Sequence, residues 1–418
     1  MNDIKKPWTV VLLGCLFLSS CIMDDVPMQD DGGDDDLSRI AVLIDSRAES
    51  QDEQPQQEPS SKQIILNRVN TLLNDGFVDG KSIFYISQNS NSVEPNFTDG
   101  SGSADDGSST DGGKRKSKLY RYLYYDNPDA WWGPEGDGDN ENIGGYNFAA
   151  VQGEALNWQD IIDNGQIDSR FTFCGLYFPA DNNIRFEVAA DQSDLEQHRQ
   201  SNILGALHST AYTKNRLRFR LYHLMVYLDV ELYVPVYDPE DNSGYMEDAV
   251  KKAVALNFYN RFNMSWYTSA GADLSPEATA DNTSATDIVM YMHPESELTS
   301  IDVSDFYPSE DKQIEEVRKY TFGVLFPTGQ DVLNNNSINQ NLLRFTLQTP
   351  GGTEKSYTFS PAQINGHALL QFSKGSISSL ALYLPRHENN TIVVNAEIID
   401  WNHAYSDMQV MEEQQDVE

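Results

Sequence analysis

The sequence predicts an all-β fold, built as two β-sandwiches in series. Short runs alternate apolar and polar residues at period two, and the spacers between them are rich in turn-forming residues. The 21 tyrosines and 18 phenylalanines supply the bulky side chains that pleated sheets favour. A chain of 418 residues is long enough for two separate cores.

Taken in order, the first candidate strand is IAVLI (40–44). It stands between two polar stretches, 22–38 and 48–62, so it has no local partner and must pair with something distant. Residues 95–117 are low-complexity and read as an exposed loop. KLYRYLYY (118–125) sets Tyr120, Tyr122 and Tyr124 on one face of a strand. RFTFCGLYF (170–178) and IRFEV (184–188) read as strands divided by the turn PADNN, and SNILGALHS (201–209) as a short helix. In RLRFRLYHLMVYLDVELYV (216–234), Leu217, Phe219 and Leu221 share one parity, while Leu224, Val226, Leu228, Val230 and Leu232 take the other. That slip exchanges the buried face and predicts a bulge or bend at Tyr222-His223.

Residues 237–250 read as a connection, which divides the chain into domains 63–236 and 237–418. The second half repeats the pattern. YTFGVLFP aligns Tyr320, Phe322, Val324 and Phe326, and LLRFTLQT aligns Leu343, Phe345 and Leu347. SLALYLP aligns Leu380, Leu382 and Leu384, and IVVNAEIIDW aligns Ile392, Val394, Ala396 and Ile398.

With 29 Lys+Arg against 64 Asp+Glu, the net charge is −35, which argues against nucleic acid as a partner because phosphate contacts need cationic surface. HExxH, GxSxG, phosphate-binding and dinucleotide signatures are missing, so no enzyme activity and no cofactor are expected. The seven histidines are scattered, and His223 reads as a packed or hydrogen-bonded structural residue. DGDNENIGG (137–145) starts like a calcium loop, but Asn142 stands where the sharp-turn glycine belongs and Phe148 where the bidentate acid belongs. It is read as a solvated loop, and no metal is expected. Trp131 and Trp132 suit either core packing or stacking on a sugar, which leaves a surface carbohydrate-binding lipoprotein as the second functional class.

The N-terminus fixes the compartment. Lys5 and Lys6 precede a short apolar stretch, Trp8 to Leu18, too short to span a membrane. Leu18-Ser19-Ser20-Cys21 resembles the lipobox of bacterial lipoprotein precursors, which implies a signal peptide over 1–20 and a lipid anchor on Cys21. Residues 21–62 then form a tether that carries the IAVLI strand. Asp24 and Asp25 resemble the acidic tract that sends lipoproteins of the Bacteroides group to the outer cell face. Cys15 would leave with the signal, and Cys174, in FTFCGLYF, reads as a buried small hydrophobe.

Several stretches together resemble the fimbrillin-like family of Bacteroidia. They are FTFCGLYFP, IRFEVAADQS, SNILGALHS and LRFRLYHLMVYLDVEL, joined later by YTFGVLFP and by a terminal strand ending at Trp401. The matching residues are Pro179, Asp191, Gln192, Ser193, Ile203, Leu204, Ala206, Leu217, Phe219, His223, Leu224 and Met225. Asn202 departs from the acid usual before the Leu-Leu pair, and Tyr227-Leu228 from a lysine-bearing segment.

The resemblance implies two transthyretin-like sandwiches, an outer-membrane lipoprotein, and a subunit of a surface pilus (fimbrium). It also implies that an arginine-specific protease removes the first strand, and that an extended segment of a neighbouring subunit fills the groove by β-strand addition. Here IAVLI is the removable strand and Arg47-Ala48 the expected cleavage site. The expected donor is 402–418, with Met408, Val410 and Val417 as pocket-fillers. Expected partners are other pilus subunits, the outer membrane through the lipid, and a host or bacterial surface ligand.

Overall fold

The structure is a computed structural model, and it describes residues 41–44, 60–73, 83–89, 116–122, 146–150, 171–179, 186–210, 216–219, 221–240, 242–267, 274–304, 314–331, 339–363, 370, 372–386 and 391–401. Among them strands dominate, as the period-two runs predict. The first eight strands are β1 (Ala41–Ile44), β2 (Ile83–Asn89), β3 (Lys116–Tyr122), β4 (Tyr146–Ala150), β5 (Phe171–Phe178), β6 (Leu204–Thr210), β7 (Arg216–Phe219) and β8 (Tyr222–His223). They form one sheet in the order β7-β1-β4-β3-β2-β5-β6-β8. Its end strands, β7 and β8, follow each other in the chain, so the sheet rolls until its two ends meet.

Twelve strands follow: β9 (Val226–Pro235), β10 (Val250–Phe258), β11 (Phe262–Tyr267), β12 (Leu274–Ala280), β13 (Thr286–Val289), β14 (Tyr291–Met292), β15 (Glu297–Asp302), β16 (Ile314–Phe326), β17 (Leu343–Gln348), β18 (Glu354–Phe359), β19 (Ser376–Tyr383) and β20 (Ile392–Asp400). One sheet runs β14-β16-β9-β19-β20, with β15 also on β16, and a second runs β13-β10-β17-β18. They pack face to face through aromatic rings, Phe322 against Phe345 at 5.7 Å and Phe258 against Phe326 at 4.6 Å. β17 keeps strict alternation, with Leu343, Phe345 and Leu347 buried, as its sequence predicts.

The parity slip at Tyr222-His223 marks a break with a bend at Met225, as expected, and the break is also a change of sheet. β8 ends the first sheet, and β9 becomes a central strand of the six-stranded one. Sheet membership therefore changes ahead of 236/237, and β9 pairs with β16 and β19 from the C-terminal half. Residues 201–209, expected as helix, run from Leu204 onward in strand β6, which pairs with β5. The helix lies just before them, because the Asp194 carboxylate caps the amides of Glu196 and Gln197. Of IRFEV, Phe186 to Val188 are described and contribute an isolated bridge, Glu187 to Arg261. In β20 the expected apolar face breaks at a register shift, which leaves Val394 38% exposed while Ala396 is buried.

Two helices cover the other face of the six-stranded sheet. α1 (Ser61–Leu73), which the sequence reading assigns no helix, buries Ile65, Leu66, Val69 and Leu73. α2 (Leu195–Gln200) buries His198.

Candidate functional site: an inserted first strand and a helix clamped to the second sheet

β1 is a strand of four residues, AVLI, too short to hold a sheet together by itself. It nevertheless sits inside the first sheet, with a partner on each side. It runs antiparallel to β4, with Val42 opposite Phe148 and Ile44 opposite Tyr146. It runs parallel to β7, with Ala41 beside Arg216 and Ile44 beside Phe219. Both partners lie far along the chain, as an island between two polar stretches requires. Its backbone groups are the link between β4 and β7, so withdrawing it would leave two facing strand edges with unmet hydrogen bonds.

Cys21, Arg47, Ala48, Met408, Val410, Val417, Trp131, Trp132 and the loop 137–145 all lie outside the described residues. In sequence, Arg47 follows the end of β1 after only Asp45 and Ser46.

The motif residues between β5 and β9 are described, and each has a structural task. Gln192 imitates a missing strand. Its Nε2 donates to the Leu325 carbonyl at 2.7 Å, and its Oε1 accepts from the Leu325 amide at 2.9 Å, which closes the edge of β16 next to β14. Its Oε1 also accepts from His198 Nδ1 at 3.1 Å, so the free lone pair of that ring is at Nε2. Asp191 takes the amide of Ser193 at 3.0 Å and its hydroxyl at 2.7 Å. His223 is a structural residue, as its sequence context predicts. Its Nδ1 donates to Asn202 Oδ1 at 3.1 Å, and its ring stacks on Trp401. Cys174 is buried and free, and burial pushes its thiol up to about 12, so it is inert packing.

A polar row escapes the sequence reading. On the helix-covered face of β9, Asp229 is fully buried and meets Arg68 of α1 at 2.6 Å, while Glu231 meets Arg68 at 2.8 Å. Ser379 donates to Asp229 at 3.1 Å. Burial, opposed by Arg68, pushes the Asp229 carboxyl up to about 6. Burial pulls His198 down to about 3 and His293 down to about 4, so both imidazoles are neutral at pH 7. Among the described residues no group of three His, Cys, Asp or Glu could hold a metal ion, and no helix is long and apolar enough to cross a membrane. The row's chemistry is that of a clamp between helix and sheet.

No protein-family model and no curated protein matches the sequence. Solved structures do match. One is a candidate cell adhesion protein from Bacteroides uniformis, at 12% identity and a TM-score of 0.42, with 87% of this chain and 98% of that one covered. Another is the tip fimbrial protein Mfa3 from Porphyromonas gingivalis with C-terminal truncation, at 10% identity and a TM-score of 0.33, covering 87% and 100% of the two chains. The fimbrial anchor protein Mfa2 from the same organism matches at 10% identity and a TM-score of 0.28, covering 87% and 98%. At such distances any functional reading rests on this chain's own strands and motifs. These three solved structures are fimbrial and cell-adhesion proteins, the group that the chain's motifs resemble.

Proposed function

We propose that this chain is a structural subunit of a surface pilus, exported as a lipoprotein on Cys21 and built from two transthyretin-like sandwiches. In this reading β1 is a place-holder. Cleavage between Arg47 and Ala48 frees everything before it, β1 leaves, and an extended segment of a neighbouring subunit enters between β4 and β7 by β-strand addition. The donor is 402–418, with Met408 and Val410 turned to the core side of the slot. The role is non-catalytic, at the outer membrane and in the fimbrium.

The observation that carries the reading is the position of β1: four residues, inserted between two long-range partners, with an arginine shortly after its end. A strand kept for good gains little from being so short. A removable one must be short, because its hydrogen bonds have to be given up before a replacement can form.

The test is N-terminal sequencing of subunits taken from surface filaments. Subunits should start at Ala48, and Arg47→Ala should leave precursor that forms no filaments. Deleting residues 405–418 should abolish polymerisation while leaving the subunit folded. Filaments whose subunits still begin at lipid-modified Cys21 would overturn the reading.

A further inference from the structure

Between α1, α2 and the six-stranded sheet, five buried polar atoms have no hydrogen-bond partner among the described residues. They are Arg68 Nε, His198 Nε2, the Tyr227 hydroxyl, Asp229 Oδ1 and His293 Nε2. They come from α1, α2, β9 and the end of β14, yet they stand together. Tyr291, Gly323, Asp229 and Ser379 lie side by side across β14, β16, β9 and β19. Gly323 puts no side chain into that row, and the Tyr227 hydroxyl reaches over it. The His198 ring meets Tyr227 edge-on at 5.6 Å and stacks on Tyr291 at 5.2 Å, and Tyr291 meets His293 at 5.3 Å. His198, Tyr227 and Asp229 are fully buried.

The bonds that these groups do make explain which atoms are left over. Arg68 divides its fork between two acids, Nη2 to Asp229 Oδ2 at 2.6 Å and Nη1 to Glu231 at 2.8 Å. Ser379 donates to the same Asp229 oxygen, Oδ2. Arg68 Nε–H and Asp229 Oδ1 therefore remain. His198 spends its Nδ1–H on Gln192, which leaves Nε2 a bare acceptor.

We infer that this layer is a binding site for a cluster of ordered water molecules, which bridge Arg68 of α1 and His198 of α2 to Asp229, Tyr227 and His293 on the sheet. The chemistry of the five atoms selects the occupant. An anion would face the carboxylates of Asp229 and Glu231, and a cation would face the Arg68 guanidinium. Among the described residues no three His, Cys, Asp or Glu close on a point that could hold a metal ion. The set combines a donor, Arg68 Nε–H, with the acceptors Asp229 Oδ1 and His198 Nε2, and adds two groups that can do either. Its ligand must be small, neutral and able to donate and accept at once, which is water. Each buried water takes roughly three hydrogen bonds, so about two or three waters serve the five atoms. α1 is thus seated on the sheet partly through solvent, whatever the chain assembles into.

The test is a crystal structure of the full chain at a resolution that shows ordered water, beside the double variant Arg68→Met/Asp229→Leu, which replaces the ion pair by apolar side chains of similar size. Wild type should show about two or three waters bonded to Arg68 Nε, Asp229 Oδ1 and His198 Nε2, and the double variant should lose them. In solution, oxygen-17 relaxation of water should count about two or three fewer long-lived waters in the double variant than in wild type. Direct bonds among the five atoms would overturn the inference. So would an ion, or a side chain from elsewhere in the chain, in the place of the waters. Waters that stay put in the folded double variant would overturn it too, since the site would then not be built by these groups. Should the double variant fail to fold, the wild-type map decides by itself.

Discussion

β1 and β9 occupy the same kind of place. Each lies inside its sheet between one parallel and one antiparallel neighbour, β7 and β4 for the first, β19 and β16 for the second. They differ in what holds them. β1 has four residues and reaches its partners from a chain flanked by polar linkers. β9 has ten residues, nearly all buried on both faces. One face packs into the sandwich through Leu228, Val230 and Leu232, and the other is clamped to α1 through Asp229 and Glu231. In the proposed reading the same topological position serves as a detachable seat in one sheet and as a permanent keel in the other, and strand length is the visible difference.

The sharpest way to break that contrast is to damage each strand in turn. Val230→Asp puts an unpaired carboxylate into a fully buried site of β9 and should cost about 5 kcal/mol or more, enough to abolish folding. Deleting residues 21–47 removes β1 entirely, yet should leave a soluble chain whose second-half sheets keep their hydrogen-exchange protection. If that deletion unfolds the chain as thoroughly as Val230→Asp, β1 is no detachable seat.

The clamp under β9 makes a second test, through pH. The groups facing Asp229 are Arg68 from α1, Glu231 and Tyr227 on its own strand, and Ser379 from β19. His198 and His293 lie in the same row, and Lys319 reaches Glu231 at 3.9 Å. The two histidines are depressed to about 3 and about 4 against 6.5, so the unfolded chain takes up their protons first. Their contribution is complete above pH 6.5 and is lost as pH falls towards 4 and 3. Asp229 is raised to about 6 against 3.8, so the fold takes that proton first and gains stability as pH falls from 6 to 3.8, by about 3 kcal/mol in full. Asp229→Asn should remove that offset. Chemical denaturation at pH 7 and pH 4 should show the variant falling behind wild type by about 2 kcal/mol over the interval, most of the full effect. Parallel curves would mean that Asp229 is ionised throughout. Arg68→Ala should cost about 3 kcal/mol at pH 7 and less at pH 4, where Asp229 no longer needs a counter-charge.

Strand existence was legible in the sequence, because period-two runs such as LLRFTLQT encode a buried face locally. Strand partnership was not. The slot for IAVLI lies between Tyr146–Ala150 and Arg216–Phe219, and no local signal names partners that far along the chain. The parity slip at Tyr222-His223 was visible, but its meaning, a crossing between sheets, depends on tertiary pairing. α1 was readable in principle, since Ile65, Leu66, Val69 and Leu73 carry helical spacing; the polar linker before it hid the start. The clamp left one clue, an aspartate at position 229 inside the apolar run LMVYLDVELYV. An acid there is buried and must be paired, and its partner, Arg68, lies in a helix that the strand pattern does not announce.

The smallest effect should come from Gly323, which faces Asp229 across the β16–β9 ladder. A Cβ at this position would overlap the Tyr227 hydroxyl, which reaches over the strand because nothing stands there. That hydroxyl has no hydrogen-bond partner among the described residues, so the ring is held by packing against His198 and Trp401. Gly323→Ala should therefore cost about 2 kcal/mol by overpacking. Tyr227→Phe, which deletes the colliding atom and a buried orphan hydroxyl together, should be near neutral alone and recover part of the Gly323→Ala loss in the double variant. The recovery is partial because the ring carbon that bears the hydroxyl also lies within 2.6 Å of the added Cβ. A double variant whose losses simply add would show that the ring moves freely, and that the helix-covered face of β9 is looser than its burial implies.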